Sequence, residues 1–554
     1  MTQRTRRPRT LVLAVAVAAS VTALSACTGS GSGSSASGSS SGSASTALLT
    51  DTPKAKGPID NLVWDLPFGE PTSIDYIYAA DYGPDMVVSN LCESLLRLHT
   101  DFSYGPNLAT SWKYSDDKLT LTFQLRDDVK FWDGKPLTAD DAAYSLLRNM
   151  DADLAGYNAS FFANVSTIKA TAPHELTVTF KAPDELFIKE MSTVAGDVVE
   201  KAFVEKAGKD FGNATGGVMC SGPFKLDAWN AGKNILLSAN ADYWNPDGKA
   251  LPQKVEIRFV TDTTALTQAL KTGEIQGAYE IAPGQLPALQ ASTTGKVYQG
   301  KSLQVIELVP NPPGPATDEK VRQALSMVID RAALAQSIYH GAADANYTLI
   351  PPTAWDPTAA DTYQQAYDAL KKPMDLAAAK ALISGDANAA TPMTIGIAAG
   401  NQTETETAAL IQQLAAQIGL TIKIRPLQPL EFSSAFYDPN ARKGLDLLLT
   451  QGFLDVADPL DYLGLIVFKD SLFNWIGYSN PEVESLVTKA RSNFDDVSRA
   501  QQITQAQALF EAPQNVIPML SLHELLYMND KITGAPASFA YIFQPSLASV
   551  GSAS

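Results

Sequence analysis

Short period-two stretches alternate along this chain with stretches of helical spacing, and that interleaving limits the fold more than any other feature. Leu119 to Leu125, Leu176 to Phe180 and Val255 to Phe259 place apolar and polar residues in strict alternation, the signature of half-buried strands. Between them, Thr138 with Asp141 forms a capping pattern ahead of Ala142 to Leu147. Asp318 is set to cap a helix whose Val321, Leu325, Val328 and Ile329 share one face, and Thr403 with Glu406 repeats the pattern before Leu410, Leu414 and Ile418. No fixed repeat length runs through these segments. The expected fold class is therefore α/β or α+β rather than a solenoid or an all-β sandwich. With 554 residues, three or four domain-sized units are expected.

The amino-terminal segment follows a different logic. Arg4, Arg6, Arg7 and Arg9 precede an apolar run from Leu11 to Leu24, which Leu24-Ser25-Ala26-Cys27 closes with small residues. A run of this length falls short of the ~20 residues that span a bilayer, so residues 1–26 read as an export signal, of the general secretory type rather than twin-arginine. Leu-Ser-Ala-Cys resembles a bacterial lipobox, which makes Cys27 the expected site of lipidation and a stable two-chain membrane anchor. Residues 28–46 are almost wholly Gly, Ser, Ala and Thr, and 27–57 read as a lipidated tether reaching about 30 Å. The expected location is extracytoplasmic, at the membrane surface.

Composition excludes several functions. The net charge is −17, and without the leader's four arginines 38 basic groups face 59 acidic ones, so no basic stripe exists to release phosphate counterions. Nucleic acid is not an expected partner. Four histidines and three cysteines are scattered without zinc-ligand spacing; His523-Glu524 has Tyr527 where a metalloprotease needs a second histidine, and no Walker loop occurs. Gly38-Ser39-Ser40-Ser41-Gly42 fits a hydrolase elbow only by composition, since neither strand nor helix flanks it. No metal, cofactor or catalytic constellation is expected. Cys92 and Cys220 form a possible disulfide in an exported chain; joined, they would close a loop worth on the order of 4–5 kcal/mol. Two buried free thiols are the alternative.

The segment from Leu108 through Trp112-Lys-Tyr, Leu119 to Leu125, Phe131-Trp-Asp-Gly-Lys-Pro136 and Asp140-Asp141 to Tyr144-Ser145 resembles the signature of the peptide/nickel-type extracellular solute-binding proteins, family 5, the receptors of ABC importers. Glu70 to Asp75, Cys220 to Lys225, Thr272 to Ile275, Asp318 to Arg331 and Tyr478 to Val483 extend the resemblance in order over about residues 60 to 545. It implies a two-lobed periplasmic-binding-protein-like clamp with an extra subdomain inserted in the first lobe. On this chain lobe I would comprise 58–86, 214–301 and 515–554, the inserted subdomain 87–213 and lobe II 302–514, with a boundary near Pro310 to Pro315 and a return crossing around 495–520.

The resemblance further implies a monomeric receptor that captures peptides in an interlobe cleft and delivers them unchanged to membrane permease subunits. Asp455 stands four residues before Pro459 and matches the aspartate that pairs with the ligand's α-ammonium in peptide-binding members, while Gly452 departs from the family's common aromatic. Phe453, Tyr462 and Trp475 are candidates to line the cleft. A sugar, opine or metal-chelate receptor on the same fold, a lipid-anchored peptide hydrolase and a signalling receptor are the alternatives.

Overall fold

Three sheets of four or more strands organise the computed structural model, which describes residues 47–554. The first has seven strands in the order Phe224–Asn230, Asn234–Ala239, Pro252–Arg258, Ile59–Asp65, Gly277–Ala278, Glu524–Asn529 and Gly295–Gly300. Its central strand Ile59–Asp65 runs parallel to both neighbours. The second has six strands, ordered Ala343–Ala345, Ile517–Leu522, Gln304–Pro310, Leu447–Phe453, Met393–Ala398 and Ile422–Leu427. A four-stranded antiparallel sheet, Ala109–Tyr114, Thr120–Leu125, Glu175–Phe180 and Val165–Ala172, lies in the span between two strands of the first sheet.

Local sequence explains these elements. Leu121, Phe123 and Leu125 all face inward from Thr120–Leu125, where they share a core with Ala142 and Leu146 of the helix Ala139–Arg148. Thr138 and Asp141 close a reciprocal capping box on that helix, and Asp318 caps Glu319–Val328. Thr403 is not a cap. The cap of the helix Gln402–Ile418 lies two residues earlier, at Asn401, whose Oδ1 accepts from the backbone N–H of Glu404 while its Nδ2 donates to Glu404 Oε1. Asn401-x-x-Glu404 is the better capping pattern, and the shift leaves Thr403 inside the helix.

Three expectations of organisation change. The chain passes from the first sheet to the second at Lys301–Leu303, not near Pro310 to Pro315; the proline cluster ends the strand Gln304–Pro310 within the second lobe, because proline terminates a strand without having to end a domain. The return falls at His523, since Ile517–Leu522 pairs in the second sheet and Glu524–Asn529 in the first, so residues 515–522 belong with lobe II by pairing. The two crossings run side by side, with Gly300 opposite Glu524 and Val305 opposite Ser521. Finally, residues 47–57 are no tether. Leu49 bridges Gly300, Asp51 bridges Pro536, Gly57 bridges Ser552, and the buried Thr52 donates its hydroxyl to the Ala535 carbonyl. Gly57 and its neighbours complete the edge of the body by backbone pairing, which composition does not register. The leader, Cys27 and the Gly/Ser segment to residue 46 lie outside the described residues.

Cys92 follows the helix Tyr82–Leu91 and forms a disulfide with Cys220, Cα atoms 4.8 Å apart, where the chain leaves and re-enters the first sheet's body around the four-stranded sheet. The buried Glu93 beside it accepts from Tyr243, Trp244 and Ser221. No helix among the described residues is long and apolar enough to cross a membrane.

Candidate functional site

The strand Leu447–Phe453 leads out of the second sheet into the turn that carries Asp455. Asp458 then caps the helix Pro459–Gly464 by accepting from Leu460. Asp455 therefore caps nothing. Its backbone N–H donates to Asp461 Oδ2 at 2.6 Å, yet its own carboxylate accepts no hydrogen bond from any described residue. Desolvation pushes this half-buried carboxyl up to about 7.

Two further acids converge on it. Glu190, from the helix Phe187–Glu190 of the inserted subdomain, and Asp461 bring carboxylate oxygens that lie with one of Asp455 within 4.8 Å of one another. Glu190 is fully buried and neither of its oxygens has a hydrogen-bond partner; Asp461 keeps one oxygen unpartnered. Asp85, in the first turn of Tyr82–Leu91, is the fourth acid, 1% exposed and with Oδ1 unpartnered. Burial and then the charge of Asp455 raise the carboxyls of Asp85 and Asp461; burial, Asp461 and Asp455 raise Glu190. The nearby cations are committed elsewhere. Lys189 holds Asp458 at 2.6 Å and Glu185 at 3.1 Å, Arg499 holds the same two acids, and Arg491 holds Asp184. The result is a cluster of negative charge contributed by both lobes and the inserted subdomain.

The three aromatic candidates divide. Phe453 is half-buried and packs on Tyr82 and Phe539 of the first lobe, with ring centroids 4.9 and 5.4 Å away, next to the acid cluster. Tyr462 is buried beneath the strand and its hydroxyl donates to Glu307 at 2.5 Å, a supporting position rather than a cleft wall. Trp475 lies against Arg442, whose guanidinium is 4.2 Å from the ring centroid, and beside Phe436. Helix periodicity and proximity in sequence do not reveal these directions. A further aromatic contact across the fold was not anticipated: Tyr157 of the inserted subdomain stacks on Tyr437 of the second lobe, centroids 5.2 Å apart and planes 14° apart. A cavity of about 650 Å³ opens beside Tyr157, between Ser160 and the segment Gly464 to Leu472; Asp455 is not on its wall.

A family model described as bacterial extracellular solute-binding proteins, family 5, matches residues 103–473. The chain belongs to this family. It is 25% identical over 487 residues to the dipeptide-binding protein DppE of Bacillus subtilis, covering 84% of this chain and 87% of that one. It is likewise 25% identical over 459 residues to the glutathione-binding protein GsiB of Escherichia coli K12, covering 81% and 86%. The fold matches that of the periplasmic binding protein DppA from Helicobacter pylori, solved with the peptide STSA, at a TM-score of 0.77 and 22% identity over 90% of this chain and 99% of that one. The two-lobed architecture is thus that of family 5.

Within this family 5 frame, the departure at Gly452 has a steric cause. A Cβ there would sit 2.4 Å from the Tyr462 hydroxyl and 3.2 Å from Glu307, so the Tyr462–Glu307 pair occupies the space a side chain would need. Glu190, Asp85 and Asp461 escaped sequence reasoning. Asp461 stands six residues after Asp455 and could have been suspected, whereas nothing local ties Glu190 or Asp85 to it.

Proposed function

We propose that this chain is the extracytoplasmic substrate-binding protein of an ABC importer for peptides, anchored through a lipidated Cys27, and that Asp455 pairs with the ligand's α-ammonium. The observation that carries the reading is the Asp455 carboxylate, raised by desolvation, unpartnered and flanked by acids from three parts of the fold. An ammonium placed there gains a charge-assisted hydrogen bond and restores the ionised form. The similarity to the dipeptide-binding protein DppE and the glutathione-binding protein GsiB supports a peptide ligand. Closure around the solute must favour the bound form for the permease to read it, so ligand has to contact both lobes. The protein acts as a monomer and leaves its ligand chemically unchanged.

The test is native mass spectrometry of the purified chain, followed by calorimetry with di- and tripeptides and their N-acetylated counterparts. Stoichiometric retention of free-amine peptides, lost on acetylation, supports the reading. Retention of sugars or opines indifferent to Asp455→Asn overturns it, as does cleavage of the peptide.

A further inference from the structure

The acid cluster holds more carboxyl groups than one α-ammonium can pair with. Glu190, Asp455 and Asp461 present oxygens within 4.8 Å of one another, yet no hydrogen bond joins any two of these side chains. Three acceptors around one ammonium at about 2.8 Å each stand about 4.6 Å apart, so the spacing suits an inserted N–H donor group rather than carboxyls bonded to each other. Glu190 is decisive, because it is 0% exposed and both its oxygens lack partners. A side chain so placed costs free energy unless something fills the gap.

One primary ammonium satisfies that tripod geometrically and neutralises one charge of the three. Asp85 adds a fourth, close enough to Asp455 that the Asp455 charge raises its carboxyl, and no lysine, arginine or histidine among the described residues pairs with it. Tyr437 borders the same region, its hydroxyl raised by burial, by Tyr157 and by Asp81, Asp85 and Asp455. With Tyr157 it offers aromatic faces, which attract cations.

A hard metal ion is the other candidate occupant. Calcium takes six to eight oxygens, whereas here one oxygen of Asp461 is already committed to the backbone N–H groups of Asp455 and Val456.

Resting on the amine reading above, we infer that the site selects ligands carrying two positive nitrogens at one end, namely peptides whose first residue is basic: one nitrogen is held by Glu190, Asp455 and Asp461, and the other is balanced by Asp85 beside the Tyr157–Tyr437 stack.

Calorimetry with Lys-Ala-Ala and Ala-Ala-Ala tests it. The lysine-first peptide is expected to bind at least about tenfold more tightly, the preference to shrink several-fold in Asp85→Asn, and both peptides to bind less tightly in Glu190→Gln. The second variant guards against misfolding of the first. Equal affinities for the two peptides in the unaltered chain overturn the inference and leave the amine reading intact. Binding of neither removes both. Stoichiometric binding of calcium or manganese alone, lost in Glu190→Gln, overturns it in favour of a resident cation.

Discussion

Lys189 of the inserted subdomain reaches across to Asp458 of the second lobe, Nζ to Oδ2 2.6 Å, and Arg499 closes on the same carboxylate from the other side. Asp458 is buried, and although desolvation alone would raise it, Arg499 and Lys189 hold its carboxyl well below the usual range. The pair links the inserted subdomain to the turn that carries Asp455. Replacing Asp458 by alanine leaves two buried cations with Glu185 as their one remaining acid and removes a helix cap. The chain is expected to lose about 3–5 kcal/mol, read as a lower urea midpoint. Lys189→Met leaves Arg499 in place and should cost clearly less; an equal loss would mean the two cations do not share the carboxylate.

Asp455 and stability should pull in opposite directions. Its carboxylate has no protein partner, so Asp455→Asn removes a desolvated acid without breaking a bond. Thermal stability of the ligand-free protein is expected to hold or rise, while affinity for free-amine peptides falls by about 10- to 150-fold, the worth of a charged hydrogen bond of about 1.5–3 kcal/mol. A variant that unfolds earlier and binds unchanged would place Asp455 in the scaffold instead.

Ligand-free stability should fall as pH rises from about 4 to about 8. Burial raises Asp65 and Glu511 to about 8 and Glu307 and Asp455 to about 7, against unfolded values near 4, so across this window the folded chain binds more protons than the unfolded one. Asp458 works the other way, but its contribution is complete above about pH 4 and is lost only below. Amine affinity carries the opposite sign, rising with pH as Asp455 gives up its proton. Scanning calorimetry and titrations between pH 5 and about 8 check both slopes. A melting temperature that climbs over that range contradicts the first.

Gly452→Ala should be costly for one methyl group. The new Cβ meets the Tyr462 hydroxyl at 2.4 Å, and Tyr462 cannot swing away without releasing the buried Glu307. A loss of about 1–3 kcal/mol is expected, recovered in part by adding Tyr462→Phe. Failure of the second change to recover anything would assign the cost to the backbone.

Much of the frame was legible because it is local. The alternation at Leu121, Phe123 and Leu125 and the caps at Thr138 and Asp318 appear where their spacing puts them, since each depends on residues within one turn or strand. Of the acid cluster, Asp455 alone was singled out from the sequence, and that through resemblance. Glu190 lies 265 positions before it, and its approach depends on how the inserted subdomain docks, which no periodicity encodes. Tyr462 and Trp475 illustrate the same limit: proximity in sequence placed them near Asp455, but the direction of each ring is set by a distant partner, Glu307 for one and Arg442 for the other. The proline cluster misled as a boundary mark for a simpler reason. Proline marks the end of a strand, and the crossing at Lys301–Leu303 contains none.

The Cys92–Cys220 bond spans 128 positions and sits at the stem of the inserted subdomain. Tension applied at the two chain ends would pass through that stem and leave everything above it slack. Roughly 440 Å of contour length, at about 3.4 Å per residue, is thereby withheld from any stretching of the oxidised protein. The face that supplies Glu190 to the acid cluster is mechanically a spur, off the path along which force travels.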